Sequence, residues 1–381
     1  MVVSENRRIK VAMIIQDYLP RLGGAERQLA ALAPLLKERG VDVHILTRRF
    51  PGLNRFESVN GVPIYRLPIF KTKALASLTF TLAAIPVIRS LRPDVIHAHG
   101  LMSPTTTAVL AKRLLGTPVV SKTLRGGLLG DLARLTKKPF GRRRFHFLQK
   151  QVDAFITISS EIQEELLGSG VSPDRCIFIP NGVKLDQFQP VSKYQKELLR
   201  KQLQLPDGLL VIYVGRLEPE KRVDDLIQIW SEIRRKYTEV HLLVLGIGTQ
   251  EEKLKRMADR NVLFGGSVDN VAEYLQTADL FVLPSVSEGL SNALLEALAT
   301  GLPVVVTATG GATDIVHHKV SGWLIYDYDL QNLREGIVTF LDNQLLREQC
   351  ALEGQQYVTE NYSLISTANK LCNLYNTLLS K

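Results

Sequence analysis

Glu288 and Glu296 stand with seven residues between them, the first in a short polar loop and the second inside an Ala/Leu-rich run. A helix beginning near Ser291 or Asn292, both good capping residues, places the second acid just over one turn beyond its start. The first turn of a helix leaves amide N–H groups unpaired, and the helix dipole favours an anion there, so this stretch suits a phosphate. A loop acid beside such a site can meet a sugar. A helix acid one turn further on can accept two hydrogen bonds from a diol such as a ribose. The competing reading of Glu296 is a solvated surface acid, and its neighbours Leu294, Leu295, Ala297 and Leu298 weigh against it. Arg216 and Lys221 supply the opposite charge from a second loop, 215–222. Arginine offers a planar fork for phosphate oxygens and lysine a point charge.

The elements that position these groups follow from periodicity. Residues 280–283 read as a strand apolar on both faces, as buried parallel strands are. Pro284 stops it, the loop 285–291 carries Glu288, and Gly301 and Pro303 end the helix before a strand at 304–306. Residues 209–214 form another strand, followed by the loop with Gly215, Arg216 and Lys221, and then a helix over 223–236. Both loops fall at carboxyl ends of strands, where open α/β sheets bind ligands. Strands are also expected at 241–245 and 262–264. Gly246-Ile247-Gly248 opens like a dinucleotide fingerprint, but Glu251 stands where the third glycine belongs, so it reads as a turn.

The first half repeats the alternation of strand and helix. Strands are expected at 9–15, 41–47, 94–97, from 119, at 154–158 and at 176–179. After the first comes Gly23-Gly24-Ala25-Glu26 and a helix to Lys37, the opening of a doubly wound sheet. Gly23 and Gly24 would let backbone approach a ligand closely, although a plain tight turn accounts for them equally. His97 and His99 share one face of a strand with no third ligand at a recognisable spacing, so no metal is expected. His99, at the strand end, is expected to face a cleft. The turn 180–183 closes the first domain, and 184–195 reads as a linker.

Composition bounds the rest. At 381 residues the chain is long for a single core, so two domains are the default. Three scattered cysteines, Cys176, Cys350 and Cys372, form no disulfide framework or zinc spacing and fit a reducing cytoplasm. No N-terminal apolar run ends in a cleavage site. The most apolar segment, 74–88, is too short to span a bilayer and reads as a buried or partly exposed helix. The formal charge of +9 calls for an anionic partner. Residues 134–150 hold seven basic residues and no acid, interleaved with Phe140, Phe145 and Phe147. That run suits anionic lipid headgroups or a phosphorylated acceptor, against the alternative of an ordinary solvated face. No nucleic-acid-binding signature accompanies it.

In order, Gly23-Gly24-Ala25-Glu26, His97-Ala98-His99-Gly100, Ile179-Pro180-Asn181-Gly182-Val183, Gly215-Arg216-Leu217 with Lys221, and the run 284–311 resemble the retaining GT-B glycosyltransferases of family 4. The resemblance covers nearly the whole chain, and the Glu288-x7-Glu296 signature is its most specific part. It implies an α/β fold of two Rossmann-like doubly wound domains facing a central cleft. Residues 1–183 would bind the acceptor and 184–356 the nucleotide-sugar donor, with 357–381 a helical tail packing back on the first domain. It implies that Glu288 faces the transferred sugar and that Glu296 holds the ribose. Gly215 and the stretch Gly289, Leu290, Ser291 and Asn292 would line the donor, Gly23 and Gly24 would close on it, and Arg216 and Lys221 would offset the diphosphate charge without a metal or cofactor. Relatives carry a histidine after the fourth strand of the first domain. Here that run is Ser121-Lys122-Thr123-Leu124-Arg125, so either Arg125 or nearby backbone takes that place or the sugar is positioned differently, with His99 and Arg125 on the acceptor and sugar side.

The function expected is transfer of a hexose-type sugar from a nucleoside diphosphate sugar to a saccharide or lipid-linked acceptor. The setting expected is the cytoplasm or the inner face of the plasma membrane. A nucleotide-sugar epimerase of the same architecture is the alternative. A non-catalytic binding module is a third reading. An NAD-dependent oxidoreductase is the weakest, because no complete glycine fingerprint follows a domain's first strand.

Overall fold

The computed structural model describes residues 8–21, 23–70 and 73–380. The chain forms two units, one running to Asn181 and resuming at Ile365, the other Gly182–Leu364.

Unit 1 is built on eight strands: β1 (Ile9–Ile14), β2 (Val41–Arg48), β3 (Phe56–Val59), β4 (Val62–Leu67), β5 (Val95–His99), β6 (Val119–Lys122), β7 (Ala154–Thr157) and β8 (Cys176–Phe178). Their order is β3-β4-β2-β1-β5-β6-β7-β8, parallel except for the edge hairpin of β3 and β4. That hairpin, not anticipated above, turns on Asn60 and Gly61, both at positive φ as a two-residue primed turn requires. The strand order reverses between β1 and β5. There Gln16 Nε2, beyond β1, donates to Ser103 Oγ, beyond β5, at 2.6 Å.

Unit 2 carries β9 (Leu209–Val214), β10 (Val240–Leu245), β11 (Val262–Gly266), β12 (Leu280–Leu283), β13 (Val304–Thr307) and β14 (Trp323–Ile325). The order is β11-β10-β9-β12-β13-β14, parallel throughout, which is the doubly wound dinucleotide-fold order. Its reversal lies between β9 and β12. Interior strands are wholly apolar: residues 211–213 and 280–283 are buried on both faces. Helices cover both sides of the sheet, so no face is left to alternate with water.

Two boundaries differ from the sequence expectation. The linker region is partly helical, because Ser192 caps a helix over Lys193–Gln202. The tail does not begin at Tyr357. A helix over Gln344–Asn361 ends first, and Leu364–Leu379 is a separate helix. The break is imposed by a bridge between Val183 and Ser363, in which Val183 N–H donates to Tyr362 O and Leu364 N–H to Val183 O, each at 2.9 Å. An α-helix cannot continue through residues hydrogen-bonded in that extended fashion. From Ile365 the tail belongs to unit 1, where Tyr375 is fully buried. All three cysteines are free thiols, Cys176 and Cys350 buried and Cys372 half-buried.

Candidate active site

The loops after β9 and β12 meet at the reversal of the unit 2 sheet. Lys221 Nζ donates to Glu288 Oε1 at 2.5 Å, with both side chains about one-tenth exposed (10% and 11%). The backbones are joined as well, Val286 N–H donating to Glu220 O at 3.0 Å. Arg216 lies further out. Half exposed, it reaches Glu220 Oε1 at 3.2 Å. The two cations of this loop therefore differ: Lys221 is enclosed beside Glu288, and Arg216 is open to solvent.

The helix after Glu288 starts as its sequence dictates. Ser291 Oγ accepts from Leu294 N–H at 3.3 Å, and the helix spans Asn292–Ala299. Leu294, Leu295, Ala297 and Leu298 are buried, so the half-buried Glu296 is an acid on an otherwise apolar helix. Gly289 and Leu290 are buried, while Ser291 and Asn292 are half-buried at the helix start.

Three groups that the sequence reading did not assign to the site shape it. Gly310 has φ +58°, and a side chain there would strike the carbonyls of Glu288 and Gly289, 2.7 and 2.5 Å from the new Cβ. Gly311 N–H then donates to Gly289 O at 2.5 Å, so the loop after β13 braces the loop after β12. The turn Gly246-Ile247-Gly248 packs backbone to backbone on the loop after β9: Leu217 N–H donates to Ile247 O at 3.0 Å, and a Cβ on Gly246 would overlap Gly215 O. Tyr213, fully buried in β9, donates its hydroxyl to Arg216 O at 2.9 Å. Its pKa is held well above the ordinary value by burial, with the negative charge of Glu288 adding to the effect. Strand periodicity marks Tyr213 as core and is silent on that hydroxyl. The available signals were the two glycine clusters, Gly246-Ile247-Gly248 after a strand and Gly310-Gly311 just before a helix.

Unit 1 places its expected residues less openly. Gly23 is the cap of the helix Gly24–Glu38, with no side chain capping it, and Gly24 is exposed. His99 does not stand at an open edge. It is 5% exposed and stacks on the fully buried His97, ring centroids 4.4 Å apart. His97 Nδ1 is 2.7 Å from the Tyr375 hydroxyl. Lys122, opposite His99 in register, donates to Asn181 Oδ1 at 2.8 Å. Burial, then the Lys122 charge, lowers the His97 pKa to about 3, and burial lowers that of Lys122 to about 8. His99 is depressed well below its ordinary value by burial, then by the charges of His97 and Lys122. Both imidazoles are therefore neutral at physiological pH. Arg125 is half-buried, and its loop is held by Asp131, whose Oδ2 accepts from Leu124 N–H at 3.0 Å. Within 134–150, Arg144 and Phe145 turn inward: Arg144 donates to Met102 O at 3.0 Å and Phe145 is buried. Among the described residues no group of three or more His, Cys, Asp or Glu could hold a metal ion.

Two doubly wound units, one with a paired lysine and glutamate at its reversal point, have the GT-B architecture. Residues 195–357 match the family model for glycosyl transferases group 1, and residues 23–182 match that of the glycosyl transferase 4-like domain. The chain belongs to the group 1, family 4 glycosyltransferases. It is 27% identical over 385 residues to an uncharacterised glycosyltransferase of Methanocaldococcus jannaschii, covering 96% of this chain and 98% of that one. It is 25% identical to the GDP-mannose-dependent monoacylated alpha-(1-6)-phosphatidylinositol monomannoside mannosyltransferase of Corynebacterium glutamicum, over 96% and 97% of the two chains. In fold it is similar to Anabaena HepE in complex with UDP-glucose, with a TM-score of 0.81, 19% identity and 97% and 100% coverage.

Proposed function

We propose that this glycosyltransferase moves a hexose-type sugar, with retention of configuration, from a nucleoside diphosphate sugar to a saccharide or lipid-linked acceptor. The observation that carries the reading is the Lys221–Glu288 pair at the sheet reversal, immediately ahead of a Ser291-capped helix bearing Glu296. In this reading the diphosphate sits on the amides of residues 289–292, with Lys221 and Arg216 offsetting its charge in place of a metal ion or cofactor. Glu296 accepts hydrogen bonds from the two ribose hydroxyls. Glu288 faces the sugar, and Gly310 keeps the intervening loop in place.

The reaction follows from those charges. The bond between the anomeric carbon and the departing phosphate oxygen breaks, leaving positive charge on the sugar and negative charge on the phosphate. An acceptor hydroxyl forms the new bond on the same face, and its proton passes to the departing phosphate oxygen. Lys221 and the helix amides are fixed beside the growing phosphate charge, and Glu288 beside the growing sugar charge. Preorganised charge of this kind supplies the largest single contribution in many enzymes.

The names of similar proteins include a GDP-mannose user and one crystallised with UDP-glucose, so the test spans bases. Thermal unfolding is followed with UDP, GDP, ADP and NAD, without metal, on the wild type and Glu296→Ala. A diphosphate at a hundred times its dissociation constant stabilises by about 2.7 kcal/mol. One base shifting the wild type and much less the variant supports the donor site. NAD alone shifting the protein overturns it. The product's anomeric configuration, read by NMR, then tests retention.

A further inference from the structure

The positive charge of this chain is concentrated in one segment. From Ser58 to Val152 there are sixteen Lys and Arg against two acids, Asp94 and Asp131, a net +14. The remainder holds 31 basic and 36 acidic residues, a net −5. Three helices made from that segment, Lys73–Leu91, Ser103–Leu115 and Gly141–Gln151, contain no acid at all. Polar contacts, one buried and one partly buried, join them into one layer. Thr81 Oγ1 lies 2.8 Å from Thr107 Oγ1, and Arg144 Nε donates to Thr106 Oγ1 at 3.1 Å.

The outer side of this layer is apolar where solvent would favour charge. On the first helix Ala76, Phe80, Ala84 and Ile88 face inward and are buried. Its other side presents Leu75, Leu78 and Leu82 at 49, 55 and 59% exposure, spaced i, i+3 and i+7 as one stripe. Leu110 and Leu114 continue the apolar surface on the next helix, one turn apart. A helix apolar on both sides is ordinarily enclosed. On the same three helices Arg89, Arg113, Arg142 and Arg143 are exposed.

We propose that this three-helix layer docks on an anionic lipid bilayer, its leucines entering the headgroup–acyl boundary and its arginines meeting lipid phosphates. No helix among the described residues is long and apolar enough to cross a membrane, so the contact proposed is a seating on the surface. Charge complementarity selects an anionic partner. The leucine stripe selects lipid over nucleic acid, because aliphatic side chains gain from an apolar medium, whereas nucleic acid rewards aromatic stacking and phosphate contacts. The surface differs from the 134–150 run read on the sequence: two of its three helices lie outside that run, and Arg144 and Phe145 within it face inward.

The test is flotation of the full-length protein with vesicles of phosphatidylcholine alone and of phosphatidylcholine with phosphatidylglycerol, at two salt concentrations. Binding to the anionic vesicles that weakens with salt is expected. A Leu75→Ser/Leu78→Ser/Leu82→Ser variant and an Arg142→Glu/Arg143→Glu variant should each bind about tenfold less. Equal binding by the wild type and the leucine variant overturns the proposal, as does absence of binding to anionic vesicles. Binding of a short single-stranded oligonucleotide instead, unchanged by the serine substitutions, overturns it in favour of a nucleic-acid surface. Nucleotide thermal shifts on the same samples report the donor site separately, so the two readings fail independently.

Discussion

Lys221 and Glu288, 67 residues apart in sequence, meet at 2.5 Å where the unit 2 sheet reverses direction. The lysine thus has a carboxylate partner of its own. A diphosphate seated as proposed would trade one anion for another around Lys221 and free Glu288 to address the sugar.

Breaking that pair should harm stability and activity unequally. Lys221→Met leaves a nearly enclosed carboxylate without its partner and is expected to cost about 2–4 kcal/mol. Lys221→Met/Glu288→Leu should recover most of that stability in urea unfolding while transfer stays at least about a hundredfold down. Recovery of transfer in the double variant would show that the pair is architectural.

Glu296→Ala should act on donor affinity. Two hydrogen bonds to a charged group, each contributing about 1.5–3 kcal/mol, are lost, which corresponds to donor binding weaker by about a hundredfold or more. The proposal predicts that Kd by calorimetry rises while the urea midpoint moves little. A variant that binds UDP or GDP as the wild type does would move the ribose elsewhere.

Gly310→Ala tests the brace on the catalytic loop. The new Cβ has no space beside the carbonyls of Glu288 and Gly289. A control is Gly40→Ala, which also lies at positive φ, +83°, but has nothing within 4 Å of the new Cβ. The control should lose about 1 kcal/mol with donor binding intact. The Gly310 variant should also lose donor affinity, by about tenfold or more. Equal effects of the two on binding would show that the brace is unimportant.

The buried histidines of unit 1 set an acid limit. The folded-state pKa of His97, about 3, lies below the 6.5 of an unhindered imidazole, so between those values the unfolded chain binds the proton and the folded one does not. Stability then rises with pH from about 3 to 6.5 and is flat in this group above. Lys122 behaves alike in a higher window: its folded value of about 8 against 10.5 makes stability rise between those pH values. Urea midpoints measured against pH should show a shallower acid slope for His97→Gln than for the wild type. Parallel slopes would remove His97 from the account.

Much of the second unit was legible in the sequence because its strands are unbroken apolar runs between glycine and proline. Leu209–Val214 and Leu280–Leu283 fall where periodicity put them. The edge hairpin was not read, since Glu57 and Arg66 look like surface residues. Arg66 is in fact 2% exposed, its guanidinium bonded to Glu57 on the neighbouring strand. The depth of His99 was equally out of reach. It depends on a stack with His97 that is completed by Tyr375, 278 residues from His97. Spacing along a chain reports which face a residue takes, and only the assembled layers decide whether that face is covered.

The three thiols give the protein a quiet chemical background. Burial raises the pKa of Cys176 and of Cys372, and that of Cys350 to about 11. Near neutral pH all three are held as thiols, which are poor nucleophiles beside thiolates. A single cysteine introduced on the leucine stripe, as in Leu82→Cys, would be the fastest site for a maleimide dye. An environment-sensitive fluorophore there would report directly on whether that stripe leaves water when vesicles are added.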